Sequence, residues 1–302
     1  MQRDGDTVHP LRRPARVALV LLGALAVTAL VGPFGLITPA GGQERGPADA
    51  PRAEPDVAWR DVDGEVLRLD AYLPPGERRH AAVVLVHGGA WTGGDKADMA
   101  DQGRSLAAAG YVAVAINYRL APAHRYPAAV EDVAAAVAWL RAPRQVAHYR
   151  VDPRRIGLLG ASAGGNLAAM VGTQGSGPRV VGTRVAVVAS WSALTDLNGF
   201  AQVPDFGQEL LGCAARSCPE LAADASPITH VDPSDAPMLL VNAADDPITP
   251  AVQATTMGAA LGAERVDHEV VVVPGSAHAT VLAPEVWGAT LAYLGRHLGE
   301  RA

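Results

Sequence analysis

Short apolar runs alternate with longer, helix-like segments along most of this chain. Six runs have the length and composition of buried strands, and they cover 83–86, 112–116, 156–159, 185–190, 238–241 and 269–273. Upstream, residues 57–60 and 66–72 predict two further strands, which we expect to pair antiparallel at one edge of the sheet. Helical periodicity is present at 98–109, 128–141, 162–172, 250–261 and 284–297. This alternation predicts an α/β fold, with a mostly parallel sheet of about eight strands flanked by helices.

Residues 1–42 predict a targeting segment that precedes the fold. A cluster of arginines comes before the apolar run 17–31, which is the arrangement of a secretory signal peptide. The apolar character continues to residue 37, so 17–37 is also long enough for a membrane anchor, although glycine and proline interrupt it. We favour a cleaved signal and expect an exported protein, extracellular or in the cell envelope. Residues 43–56, rich in proline, alanine, glycine and charge, predict a flexible linker before one domain at 57–300.

Composition narrows the classes of function. The 302 residues carry a formal net charge of −6, which gives no sign of nucleic-acid binding. The cysteines and histidines show no spacing typical of a metal site. Cys213 and Cys218 are the only two cysteines. In an exported protein this pair predicts a disulfide, and two free thiols are the alternative.

The segment 160–165 carries the strongest chemical signal. It is Gly-Ala-Ser-Ala-Gly-Gly, and it lies between a strand-like and a helix-like run, so Ser162 stands at the apex of a sharp turn. The G-x-S-x-G spacing suits a nucleophile elbow, in which small neighbours let the strand and helix pack close to the serine. The backbone N–H of Ala163 would lie at a helix N-terminus, which favours negative charge. From this motif alone, a plain strand-to-helix turn is the alternative.

A second glycine-rich loop follows an early predicted strand and has the sequence His-Gly-Gly-Ala-Trp at 87–91. Glycine lets the backbone approach a substrate oxygen closely. The N–H groups of Gly88 and Gly89, together with that of Ala163, therefore predict an oxyanion hole. Trp91 stands beside these glycines, and it either lines the substrate pocket or packs in the core.

An aspartate pair and a histidine each follow a later predicted strand. Asp245 and Asp246 come after 238–241, and His278 comes after 269–273. The chain order serine, aspartate, histidine is the order found in α/β-hydrolases. In such a triad the histidine takes the serine proton and later protonates the leaving group, while the aspartate fixes the imidazole tautomer.

Together these segments resemble the esterases and lipases of the α/β-hydrolase superfamily, especially those with an H-G-G-x-W motif. The resemblance covers about residues 57–300, and it rests on His87–Trp91, Asn117–Pro122, Tyr126–Asp132, Gly160–Gly165, the turn at Asp246 and Gly275–His278. Carbohydrate-ester esterases and hormone-sensitive-lipase-like esterases are similar. We favour Asp246 over Asp245 as the triad acid because its turn resembles the family's D-x-x-V-P, although Thr249 replaces the valine.

The segment 194–235 is the least regular part of the chain and contains both cysteines. It follows the sixth predicted strand, 185–190, where the resembled family inserts helices over its active site. The resemblance therefore implies a small cap that helps to form a substrate pocket. A surface excursion that does not touch substrate is the alternative.

The function implied by the resemblance is that of an exported serine carboxylesterase. It would hydrolyse carboxylic esters, short-chain ones by default, through an acyl-enzyme formed on Ser162 with help from His278 and Asp246. Such a reaction requires no metal or organic cofactor, and its partner is a small-molecule ester. The sequence leaves the oligomeric state open. The alternatives are an arylformamidase- or amidase-like hydrolase with the same triad, and a non-catalytic binding protein that keeps the fold.

Overall fold

The computed structural model describes residues 50–199 and 207–299. The strands are β1 (Arg52–Val62), β2 (Glu65–Leu73), β3 (His80–Val86), β4 (Val112–Ile116), β5 (Val151–Ala161), β6 (Val188–Trp191), β7 (Met238–Ala243) and β8 (His268–Val273). The α-helices are α1 (Ala100–Ala108), α2 (Ala128–Arg141), α3 (Pro143–Tyr149), α4 (Ala163–Gln174), α5 (Gly207–Leu211), α6 (Pro219–Asp224), α7 (Val252–Ala263) and α8 (Ala283–Leu298). Short 3-10 helices lie at Lys96–Met99, Ala215–Ser217, Pro227–His230 and Ala279–Leu282.

The eight strands form a sheet in the order β1-β2-β4-β3-β5-β6-β7-β8. β1 pairs with β2 and β2 with β4 in antiparallel fashion, whereas all later neighbours are parallel. The predicted α/β fold, with its antiparallel pair at one edge, is confirmed. In a parallel sheet the carboxyl ends of the strands share one edge, so the loops after β3, β5, β7 and β8 meet there.

Two apolar layers cover the faces of the sheet, and β3 shows how one strand serves both. Ala82, Val84 and Val86 pack toward α2, α4 and α7, while the alternate residues pack toward α1 and α8. All seven residues of β3 are buried. A strand buried on both faces has no polar face, which explains why its sequence is a continuous apolar run instead of an alternating one.

The first strand corrects the predicted linker. Residues 43–56 were expected to be flexible up to Val57, but β1 begins at Arg52, and 52–54 pair with the end of β2. The register shifts between Glu54 and Val57, and there the N–H of Asp56 bonds to the Asp70 carboxylate at 2.8 Å. Proline is tolerated in an edge strand at a bulge, so the polar, proline-containing sequence concealed a strand.

Residues 194–235 form several short helices in their described part, including α5 and α6. Cys213 and Cys218 are joined by a disulfide with their Cα atoms 6.3 Å apart, at the connection between those two helices. The predicted signal or anchor at 1–42 lies outside the described residues. Within 50–199 and 207–299, no helix has the length and apolar character needed to cross a membrane.

A buried ion-pair network ties β1 to α2 and to the loop after β4. The Asp132 side chain is 0% exposed and accepts hydrogen bonds from the Arg119 backbone N–H at 2.8 Å and from its guanidinium at 2.9 Å. The Arg60 guanidinium lies 2.7 Å from the same carboxylate. Arg119 also contacts the more exposed Glu131 carboxylate at 3.2 Å. Asp132 is therefore the buried counter-charge of the pair, and a buried carboxylate is tolerated only when it is paired in this way.

We expect Asp132→Ala to lower the free energy of unfolding by about 3 kcal/mol, because it removes the buried counter-charge that Arg119 and Arg60 share. Urea denaturation followed by circular dichroism measures the change. The matched control is Asp101→Ala, which removes an exposed ion pair with Arg104 and should leave the midpoint unchanged. Equal midpoints for both variants would contradict a stabilising role for the buried network.

Candidate active site

Ser162 occupies the turn between β5 and α4, in a backbone conformation that few serines adopt. Its φ is 57° and its ψ is −121°. The Ser162 N–H bonds to the Trp191 carbonyl at 2.8 Å, and its carbonyl accepts from Asn166 at 3.1 Å. Positive φ costs energy in a non-glycine residue and persists only where the surroundings fix it. The turn therefore projects the hydroxyl beyond the carboxyl edge of the sheet.

Two glycines permit this turn because other backbone segments occupy the space of a side chain. A Cβ on Gly160 would overlap the Gly164 carbonyl, and a Cβ on Gly164 would overlap the carbonyls of Val86 and His87. The first turn of α4 consequently lies directly against the end of β3. Small residues at these positions bring the serine turn and the glycine loop together.

Ser162, His278 and Asp246 form a continuous hydrogen-bonded chain. The Ser162 Oγ lies 2.9 Å from the His278 Nε2, and the His278 Nδ1 lies 2.8 Å from the Asp246 Oδ2. A carboxylate can only accept, so Nδ1 carries the proton and Nε2 is free to accept from the serine. The loop that carries His278 is anchored by a bond from the Ala279 N–H to the Ser192 Oγ at 3.0 Å.

Asp246 is the aspartate that the structure places beside His278. Burial alone would raise the pKa of the Asp246 carboxyl. The bond from His278 and the backbone N–H groups of Thr249 and Ile248 outweigh burial and hold the pKa below its usual value. Its side chain is fully buried, whereas Asp245 is exposed. Of the two candidates that the sequence offered, Asp246 is thus the one within hydrogen-bonding distance of His278.

The glycine loop lies against the serine turn. A Cβ built on Gly88 would be 3.1 Å from the Ser162 Cβ, which shows how closely the two segments approach. Among the described residues, no hydrogen bond uses the backbone N–H of Gly88, Gly89 or Ala163. Donors left unpaired at the carboxyl edge are available to an oxygen next to Ser162.

His87 fixes the orientation of one of these peptides. Its Nδ1 donates to the Gly88 carbonyl at 2.7 Å, and its ring stacks on Tyr118 with centroids 4.3 Å apart. Burial lowers the pKa of His87, against the smaller opposing effect of this bond, so the ring is neutral at pH 7. In a trans peptide the N–H points opposite to the carbonyl, so the Gly89 N–H points away from the His87 ring.

Trp91 packs in the core. It is 1% exposed, belongs to the apolar layer under α2 and α4, and does not line the cavity beside Ser162. Of the two roles that the sequence left open, the structure shows packing. The prediction of Trp91 as a substrate contact is therefore not supported. Both Ala90 and Trp91 have positive φ, which turns the indole inward below the glycines.

A cavity of about 440 Å³ opens beside Ser162 and His278. Its other walls come from the glycine loop, from Asp98 and Met99, from Ile248, and from Ala279 and Thr280. Among the residues that the structure describes, Asp98 is the only acidic side chain that lines it. None of the described residues of 194–235 contributes a wall. Those residues pack on α2 and α4, and Asn166 of α4 donates to the carbonyls of Leu194 and Ala225.

The arrangement suits proton transfer and attack by a hydroxyl. A serine oxygen, a histidine acceptor, an orienting carboxylate and unpaired N–H donors meet at one edge of a cavity. Within the described part of the chain, no group of three or more histidine, cysteine, aspartate or glutamate side chains is placed to hold a metal ion.

Comparison with known proteins identifies the family. The BD-FAE family model matches residues 69–261, well over half of the chain. The chain belongs to the BD-FAE family. The resemblance to the α/β-hydrolase superfamily that the motifs predicted is thereby confirmed.

Two curated relatives of this BD-FAE chain come from Mycobacterium tuberculosis. Esterase LipQ is 32% identical over 229 residues, which are 71% of this chain and 53% of that protein. Probable carboxylic ester hydrolase LipM is 31% identical over 215 residues, 66% of this chain and 49% of that protein. The chain thus spans about half the length of the curated relatives it matches.

Solved structures share the fold of the BD-FAE chain. A truncated carbohydrate esterase from gut microbiota aligns with a TM-score of 0.75 and 23% identity, covering 84% of this chain and 99% of that one. The Est2 esterase of Thermogutta terrifontis aligns with a TM-score of 0.68 and 23% identity, covering 83% and 93%. At this identity the comparison establishes the architecture.

Sequence reasoning missed three residues that support the site. His87 bonds to the next residue, Gly88, and Thr249 bonds to Asp246 three residues earlier, whereas Ser192 bonds to Ala279 across 87 positions of the chain. His87 and Thr249 both stand in segments that the sequence singled out, although the roles of their side chains were not predicted. The Ser192 contact depends on the approach of two distant loops, which no local pattern reports.

We expect Gly164→Ala to reduce stability by about 2 kcal/mol and to impair whatever chemistry Ser162 performs. The added methyl group would push α4 away from Val86 and separate Ser162 from the glycine loop. Thermal unfolding and labelling of Ser162 by a fluorophosphonate measure the two effects. The matched control is Gly288→Ala on α8, where an added Cβ meets nothing within 4 Å and should be neutral or stabilising. Indistinguishable variants would refute the steric argument.

Proposed function

We propose that this chain is a serine carboxylic ester hydrolase. The observation that carries the proposal is the chain of hydrogen bonds from Ser162 through His278 to Asp246, at 2.9 and 2.8 Å, beside an accessible cavity. Names of the matched relatives, an esterase and a probable carboxylic ester hydrolase, agree with this chemistry.

Acylation begins when Ser162 attacks the ester carbonyl. Its proton moves to the His278 Nε2, and Asp246 stabilises the resulting imidazolium while it holds the ring orientation. The developing oxyanion accepts from the N–H groups of Gly88, Gly89 and Ala163, which are already oriented and need no reorganisation. The tetrahedral intermediate then collapses, and His278 gives the proton to the departing alcohol.

Deacylation repeats these steps with water. Water enters beside His278, loses a proton to Nε2 and attacks the acyl-serine carbonyl, with the oxyanion again held by the same donors. The proton returns to Ser162 as the carboxylic acid departs. Both half-reactions use the same groups, so neither a metal nor an organic cofactor takes part in the proposed reaction.

The cavity supports small, uncharged esters as substrates. Its volume of about 440 Å³ lies toward the lower end of the range for small-molecule sites. The buried Met99 and the half-exposed Ile248 offer apolar contact to an acyl or alcohol group. The Asp98 carboxylate would repel a substrate that carries its own negative charge.

Export is part of the proposal. The apolar segment 17–31 after a basic cluster supports a signal peptide, and the disulfide between Cys213 and Cys218 is consistent with an oxidising compartment. N-terminal sequencing of protein recovered from the culture medium tests cleavage, and recovery of the intact chain in the membrane fraction would favour the anchor.

We expect Ser162→Ala to lower kcat for p-nitrophenyl acetate and butyrate by at least about a thousandfold, because no other hydroxyl is hydrogen-bonded to the His278 Nε2 in the described residues. Ser276→Ala, which alters an exposed serine two residues before His278, is the control and should retain full turnover. Wild-type protein that is folded but inactive on esters would refute the proposal, and faster turnover of aryl formamides would favour the arylformamidase alternative.

We expect Asp98→Asn to raise kcat/KM for a negatively charged ester about threefold to tenfold at low salt, with little change for its neutral counterpart. Monomethyl succinate and dimethyl succinate provide such a pair of substrates. The ratio of their kcat/KM values measures the charge effect and cancels any general change in activity. A ratio that stays at the wild-type value would show that Asp98 does not face bound substrate.

A further inference from the structure

A buried polar cluster stands behind His278, on the side away from Ser162. The Thr249 hydroxyl lies 3.0 Å from the Asp246 Oδ2 and 3.4 Å from the His278 Nδ1. The Asn242 side-chain amide donates to the Thr249 carbonyl at 2.8 Å and lies 3.4 Å from its hydroxyl. Asn242 and Thr249 are each 1% exposed. Such a cluster has fixed partners because water does not compete for them.

We propose that Thr249 is a positioning residue of the active site, which shares the Asp246 Oδ2 with His278 and thereby sets both the direction and the strength of the aspartate–histidine hydrogen bond. This inference rests on the proposed function, and it assigns a role to the residue that stands where the resembled family has valine.

The direction of each hydrogen bond follows from the groups present. A carboxylate has no proton to give, so the Thr249 hydroxyl donates to the Asp246 Oδ2. The other carboxylate oxygen, Oδ1, accepts from the N–H groups of Ile248 at 2.9 Å and Thr249 at 3.1 Å. With the bond from His278, four donors converge on one carboxylate, and these bonds leave the carboxylate plane little freedom to rotate.

Thr249 also limits where the imidazole can turn. After the Asp246 Oδ2, the Thr249 hydroxyl oxygen is the next acceptor near the His278 Nδ1, at 3.4 Å. Since the hydroxyl proton is directed at Asp246, an oxygen lone pair faces the Nδ1–H and keeps a second acceptor near it. The carbonyl contact with Asn242 holds the whole residue in place.

Removal of this hydroxyl would change how the carboxylate acts on the imidazole. With one donor fewer on the Asp246 Oδ2, the negative charge of this oxygen would interact more strongly with the His278 ring. A stronger interaction stabilises the imidazolium. An imidazolium cannot accept the serine proton. The acidic limb of the pH–rate profile should therefore move to higher pH, and the loosened carboxylate should also slow turnover.

Other ionisable groups stand near the cluster and stay unchanged across the variants. Asp98 lines the same cavity as His278, and Asp245 adjoins Asp246 in the loop after β7. Both carboxylates are retained in every variant, so any effect they have on the limb is the same throughout. Only differences between variants test Thr249.

The experiment compares Thr249→Val, Thr249→Ala and Thr249→Ser in the full chain. Valine keeps the shape and loses the hydroxyl, alanine serves if valine disturbs folding, and serine restores the hydroxyl. We expect valine to shift the acidic limb of kcat/KM upward by about half a pH unit and to lower kcat about threefold to tenfold. Serine should return the limb to its wild-type position. Thr255→Val, an exposed change on α7, is the matched control and should alter neither quantity.

A slower Thr249→Val with an unmoved limb would overturn the proposal, since a packing defect alone predicts that result. A serine variant that behaves like valine would overturn it as well. The Nδ1 proton resonance of His278, followed by NMR against pH, gives a readout that requires no turnover. If wild-type protein hydrolyses no ester, the proposed function fails, but the NMR titration of His278 still tests the role of Thr249. A titration midpoint that moves to higher pH in the valine variant supports that role, and an unmoved midpoint rejects it.

Discussion

The site depends on the close approach of α4 to the end of β3. Glycine at position 164 lets the helix start against the carbonyls of Val86 and His87, in space that any larger residue would need. This approach sets the distance between Ser162 and Gly88. It also brings the start of α4, which carries the Ala163 N–H, close to the glycine loop. The sheet supplies the frame, and this contact converts two separate strand ends into one site.

Burial of Asp246 is the second constraint, and it is met by a full set of donors. A carboxylate in a water-poor loop is stable only if hydrogen bonds replace its hydration. Two come from the backbone of its own turn, one from Thr249 and one from His278. The turn that contains Asp246 therefore fixes the orientation of the carboxylate, and the carboxylate in turn orients the His278 imidazole.

The sequence predicted those elements whose signal is local. Residues 128–141 and 112–116 were predicted with the observed bounds. Pro127 and Pro143 flank the first segment, whereas Gly110 precedes the second and the change to a polar residue at Asn117 marks its end. The motifs at 160–165 and 87–91 likewise indicated the serine turn and the glycine loop. Prediction failed where pairing overrides composition, as in β1, whose polar start at Arg52 is a strand only because β2 lies beside it.

Local sequence patterns also did not predict the helix α3 or the inward position of Trp91. α3 is only seven residues long, so no amphipathic period could develop in it. The direction of the Trp91 indole is set by two successive residues with positive φ, a backbone feature that the letters Ala-Trp do not report.

The described residues of 194–235 and the described walls of the cavity beside Ser162 are different sets of residues. The described residues of 194–235 pack on α2 and α4, with Asn166 and Gln253 binding the backbone at the base of the segment. The cavity instead takes Met99 and Ala279 from the layer that contains α1 and α8. A substrate carbonyl at the glycine loop would meet Asp98, Met99 and Ile248 on the cavity side. The described walls on that side come from the 3-10 helix before α1 and from the loop that carries Asp246. The contacts of Asn166 with the base of 194–235 hold α4, and with it the serine turn, through residues that are not among the described walls of the cavity.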